Sequence, residues 1–165
     1  MAQAAPALIV RLAPDTDFSS AIYGQVLAGS AVVALSRHDE RPMEIVGGVS
    51  ATMLVFWVAH VYAETISRAV ARDGRSGALR HLARQEWPMV QAALPAVVAL
   101  TLAALGLWSR GTGVTIALAL GVVELFGWGL AAGRRSGRST RGALGAGLVC
   151  AAFGLLLIGL KVLIH

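Results

Sequence analysis

The sequence predicts an all-α integral membrane protein. Residues 1–165 form a single membrane domain of five transmembrane helices, with the N-terminus inside, the C-terminus outside and a short interfacial helix between spans two and three. Three observations carry this prediction. Apolar residues come in blocks of about 20, the length that crosses a bilayer as a helix. The chain is 56% hydrophobic and only 14% charged, with a mean hydropathy of +0.69, whereas a soluble domain carries about 25% charged residues. The arginines lie between the apolar blocks and are dense in alternate loops, the pattern of positive-inside topology.

Met1 to Asp17 reads as a short cytoplasmic tail on the membrane surface. No basic stretch precedes Ala7 to Val10, and Arg11, Asp15 and Asp17 follow at once, unlike a cleaved signal peptide. Span one covers about Phe18 to Ser36, with Gln25 and Ser30 as polar members. Its small residues Gly24, Ala28 and Gly29 let a neighbouring helix come close. A polar turn, Arg37 to Pro42, leads to span two, about Glu44 to Ile66. There Met53, Trp57, His60, Glu64 and Ser67 recur at three- and four-residue steps and share one helical face.

Ser67 to Glu86 carries Arg68, Arg72, Arg75, Arg80 and Arg84, and its second half, Ala78 to Glu86, suits a short amphipathic helix at the headgroups through Leu79, Leu82 and Ala83. Span three, about Trp87 to Trp108, has a tryptophan at each end as an interfacial anchor. Pro88 fits a first turn, and Pro95 inside should kink the helix and free backbone carbonyls. Ser109 to Gly113 reads as a turn, and span four, Val114 to Gly133, holds Glu124 at its middle. After the arginine loop Arg134 to Arg141, span five runs from about Gly142 to Leu163. Ala143, Gly147 and Ala151 form a helix-packing stripe on it, and Lys161 snorkels near its outer end.

With the N-terminus inside, Arg11, the arginines of the second loop and those of the last loop are cytoplasmic, leaving Arg37, Arg41, Arg110 and Lys161 outside. The formal charge of +5 and pI near 10.7 therefore reflect topology, with lipid bilayer and not nucleic acid as the partner. The expected location is the cytoplasmic membrane of a prokaryote. Cys150 is the single cysteine, so neither an intrachain disulfide nor a cysteine metal cluster can form. No nucleophile, base and orienting group recur at helical spacing, so no enzyme and no cofactor are expected.

His60 and Glu64 are one helical step apart, about 6 Å along the axis, and can converge on one cation or share a proton. Imidazole with carboxylate suits ferrous iron, manganese or zinc as substrate, and equally a proton relay. The alternative is that Glu64 reaches the headgroups while His60 makes a packing hydrogen bond. Met53 is either a soft ligand on the same face or simple packing, and Tyr62 points away from that face. At mid-span an ionised Glu124 costs at least about 2.5–3.5 kcal/mol, so it must be protonated, paired or facing water. Gln25, His60 and Gln91 are the partners at similar depth.

The run Ala63-Glu64-Thr65-Ile66-Ser67-Arg68-Ala69-Val70-Ala71-Arg72-Asp73 resembles the end of the second membrane helix of the vacuolar iron transporter family, which shows Gly-Glu-Tyr-x-Ser followed by Gln-Arg-Asp. Glu64, Ser67, Arg72 and Asp73 match; the glycine and tyrosine do not. Ala21-Ile22-Tyr23-Gly24 is similar to the start of that family's first span. Glu124 to Leu163, with Leu125-Phe126-Gly127 and Leu157-Ile158-Gly159-Leu160, is similar to its last two spans. The family's first span carries Gly-x-Asn-Asp-Gly, whose transport aspartate falls here on Leu27. The methionine before its glutamate falls on His60, and its long cytoplasmic helices are reduced to Ser67 to Glu86.

The resemblance implies a homodimer with a pore between spans one and two of the two copies, where His60 and Glu64 occur twice. On this reading the protein is a small dimeric transporter or channel for a divalent metal ion or protons, with His60, Glu64 and Glu124 handling protons and His60, Glu64 and Met53 the metal. The alternative is a non-transporting membrane scaffold or subunit that keeps the fold without the metal chemistry.

Overall fold

The computed structural model describes residues 18–36, 41–70 and 79–164. They form α1 (Phe18–Leu35), α2 (Pro42–Val70), α3 (Leu79–Gln85), α4 (Trp87–Gln91), α5 (Leu94–Ala104), α6 (Arg110–Arg135) and α7 (Thr140–Ile164). The expected tail before Phe18, and the stretch carrying Arg72 and Arg75, lie outside the described residues. Helices α1, α2, α6 and α7 are each long and apolar enough to cross a membrane, and the bent unit of α3, α4 and α5 brings the candidate spans to as many as five.

Sequence and structure differ most in the third span. The helix breaks at Ala92 and Ala93, ahead of Pro95, and its two parts meet at 48°. Pro95 explains the position of the break: its ring clashes with the carbonyl four residues back, at Gln91, and it has no N–H to donate. The first segment therefore stops at Gln91, and the second restarts with the proline in its first turn. At the far end α5 stops at Ala104, so Leu105 to Trp108 do not continue the predicted helix. Gly106 takes φ +83°, and Trp108 turns back to donate its Nε1–H to the Ala99 carbonyl at 3.2 Å. Helix α6 begins a turn earlier than Val114, because Ser109 caps it by accepting the Thr112 N–H at 3.2 Å.

The interior is built from small residues that allow close helix crossings. Gly24 faces the Met89 backbone with no room for a side chain. Across the α6–α7 seam, a Cβ at Gly133 would stand 2.7 Å from the Ala143 Cα, and one at Gly129 would stand 2.7 Å from the Cys150 Sγ. The stripe of Ala143, Gly147 and Ala151 is buried against α6, the role its spacing predicts. The larger core side chains, Val32, Ile45, Met53, Met89 and Leu100, fill the space between α1, α2, α4 and α5. Val55, Val58 and Tyr62 on α2, and Leu148, Leu156 and Val162 on α7, point outward, as lipid-facing residues do.

Contacts at the helix ends fix which termini meet. Phe18 at the start of α1 packs edge-on against Trp128 at 6.0 Å, with the Arg135 guanidinium 5.2 Å from its ring centre. At the opposite end, Arg110 Nη2 donates to the Ser36 carbonyl at 3.0 Å. The start of α1 thus shares one end of the bundle with the end of α6.

Candidate functional site

Near the start of α1, three elements bring a polar cluster together. Glu86 is the single residue between α3 and α4 and is 6% exposed. Its carboxylate does not cap α4. It turns instead to α1 and α2, where Oε2 accepts from the Ser20 hydroxyl and lies 3.4 Å from His60 Nε2. The His60 side chain is 43% exposed, and its ring lies 6.2 Å from that of Tyr23 on α1. One imidazole face of the cluster therefore opens outward while the carboxylate stays buried.

Trp57, one turn before His60, fixes this arrangement. Its Nε1 donates to the Ala83 carbonyl of α3 at 3.2 Å, and its ring meets Trp87 edge-on at 5.5 Å. These contacts hold α2 against α3 and α4 at the level of Glu86. Periodicity puts Trp57 on the face it occupies, whereas Glu86, expected as the last residue of the short interfacial helix, is buried at the α3–α4 junction. Its position directly before Trp87 and Pro88, where a span begins, was the available signal.

The other expected site residues go to different places. Glu64 is half-buried, one turn beyond His60 on α2. Met53 is 1% exposed and lies in the apolar core. It stands two turns from His60, about 10 Å along the axis, within the buried apolar cluster. Among the described residues, no group of three or more His, Cys, Asp or Glu side chains converges as a metal site. The carboxylate brought to His60 from outside its own helix is Glu86.

Glu124 has the first of its expected partners. Gln25, 2% exposed on α1, presents its amide nitrogen to two acceptors, the Ala92 carbonyl and Glu124 Oε2, the latter at 2.9 Å. Both contacts follow from sequence features elsewhere. Pro95 forces the break that puts Ala92 outside regular helix. Gly121, one turn before Glu124, leaves the space the amide occupies, since a Cβ there would stand 2.5 Å from the end of the Gln25 side chain. A buried amide thus ties α1 to the helix break and to α6. No family model, curated protein or solved structure matches this chain.

Proposed function

We propose that this chain is a small membrane transporter or channel that passes protons through the His60–Glu86–Ser20 cluster, and that it is a divergent relative of the vacuolar iron transporter family. The observation that carries the reading is the buried Glu86 carboxylate 3.4 Å from a partly exposed imidazole. Imidazole is the side chain whose ordinary pKa lies nearest neutrality, so it can take a proton from the aqueous side and face a buried acceptor. Glu86 Oε2, 3.4 Å from Nε2, is the acceptor that the ring faces. Ser20 supplies a hydroxyl that can both donate and accept.

In this reading the bent unit of α3, α4 and α5 is the third of five spans, with the N-terminus inside. The exposed Arg80 and Arg84, together with Leu79 and Trp87, suit α3 to the cytoplasmic headgroups on this reading. The expected assembly is a homodimer through α1 and α2 in the cytoplasmic membrane of a prokaryote. A divalent metal ion is the second substrate reading. It is favoured by the exposure of His60, which leaves its ring free to meet ligands from a second copy. A scaffold without transport is the reading from a different class.

Reconstitution in proteoliposomes separates them. Proton flux driven by a pH gradient, and uptake of ferrous, manganous or zinc ions, are measured for the wild type, His60→Ala, Glu64→Gln and Glu86→Gln. The proton reading expects flux that falls with His60→Ala and Glu86→Gln. Metal uptake abolished by Glu64→Gln supports the metal reading, and a wild type that passes neither ion supports the scaffold.

A further inference from the structure

We propose that the groove between α6 and α7 at the Arg110 end of the bundle binds an anionic phospholipid, with the phosphate at Lys161 and part of one acyl chain between the helices. The site lies apart from His60 and Glu86, and the proposal does not depend on the proton reading.

The groove has a volume of about 340 Å³ and is walled by Thr115 and Leu118 of α6 and by Ile158, Lys161 and Val162 of α7. Leu118, 5% exposed, and Ile158 pack on the core and form its floor, while Val162, 72% exposed, forms its rim. The Thr115 hydroxyl already donates to the Gly111 carbonyl at 2.9 Å. The Lys161 ammonium is therefore the polar side-chain group left to meet a ligand. An apolar trough with one cation at its end suits a hydrocarbon chain below a charged head.

The charges select the head. The Arg110 guanidinium is near enough to act on the Lys161 ammonium, so two like charges repel each other here. Among the described residues, no carboxylate lines the groove or pairs with Lys161. A lipid phosphate placed between the two cations relieves the repulsion, whereas the ammonium of a zwitterionic headgroup would meet only positive charge. The long lysine stem lets the charge reach headgroup level, where each such cation contributes roughly fivefold to the affinity for an anionic lipid. A second copy of this chain fits less well: a two-fold contact through this face would bring another Lys161 and Arg110 to it.

The test uses the full chain in detergent micelles and needs no transport. Phosphatidylglycerol, phosphatidylcholine with the same acyl chains, and inorganic phosphate are titrated separately, with the thermal midpoint and the lipid retained in native mass spectrometry as readouts. The variants are Lys161→Gln, Lys161→Arg, Thr115→Trp and the double variant Arg134→Gln with Arg138→Gln, which removes charge from the other end of α6. Phosphatidylglycerol should raise the wild-type midpoint by roughly 3–6 °C at ten times its half-saturating mole fraction, and phosphatidylcholine and phosphate should not.

Lys161→Gln should raise the half-saturating mole fraction roughly fivefold, and Lys161→Arg should retain the wild-type value. Thr115→Trp should weaken binding by filling the groove while leaving both cations in place. The double arginine variant should bind as the wild type does. Equal responses to the two lipids overturn the proposal, as does a shift produced in full by inorganic phosphate. Unchanged phosphatidylglycerol binding in Lys161→Gln, or a loss confined to the double arginine variant, overturns it too. If Lys161→Gln does not fold, Thr115→Trp decides, and unchanged affinity there refutes the groove as the site.

Discussion

Replacing Gln25 with leucine keeps most of the side-chain volume and removes the amide. Gln25 is 2% exposed, so water cannot replace what is lost. The Ala92 carbonyl loses the donor that follows from the helix break, and Glu124 Oε2 loses a partner at 2.9 Å. Leaving a buried acceptor without its hydrogen bond costs about 1–3 kcal/mol, and more where the acceptor is charged. Hydrogen bonds between membrane helices measure lower, about 0.6 kcal/mol on average and about 1.7 at most. Two such contacts therefore predict a destabilisation of roughly 1–3 kcal/mol. The assay is reversible unfolding in mixed micelles for Gln25→Leu, Glu124→Gln and the double variant. Residues that share one contact should couple by about 0.5–3 kcal/mol. A cycle that is additive within about 0.3–0.5 kcal/mol would show that Gln25 and Glu124 do not act together, and would refute the reasoning.

Other substitutions test the frame around both clusters. Gly133→Val forces a side chain into a seam where even a Cβ meets the Ala143 Cα at 2.7 Å; unfolding should show a loss of at least about 1–3 kcal/mol. Trp57→Phe removes the hydrogen bond to Ala83; the expected cost is about 0.5–1.5 kcal/mol, with reduced flux because α3 no longer holds Glu86 opposite His60. Pro95→Ala restores the missing donor and relieves the clash at Gln91; spin labels at the two ends of the α4–α5 unit should move apart, and an unchanged distance would assign the 48° bend to packing alone.

Much of the fold was legible in the sequence because a bilayer imposes length and composition on any helix that crosses it. The outer limits of α1 and α7, the small-residue seam of Ala143, Gly147 and Ala151, and a break caused by Pro95 follow from those local rules. The exact site of the break depends on the backbone four residues before the proline, and the unwinding after Ala104 depends on Trp108 reaching Ala99, a tertiary contact. Glu124 with Gln25 was anticipated from depth alone. Glu86 was not, because its burial comes from α1 and α2 closing over the α3–α4 junction, which periodicity within any one segment cannot show. Met53 illustrates the converse: sharing a helical face with His60 did not bring it to the same depth.

The most direct measurement of the central claim is proton flux in proteoliposomes for the wild type, His60→Ala, Glu86→Gln and the double variant. If the imidazole and the buried carboxylate act as one unit, each single change removes most of the flux and the double variant loses little more than either. Losses that multiply, or wild-type flux retained after both substitutions, would contradict a shared proton path through His60 and Glu86.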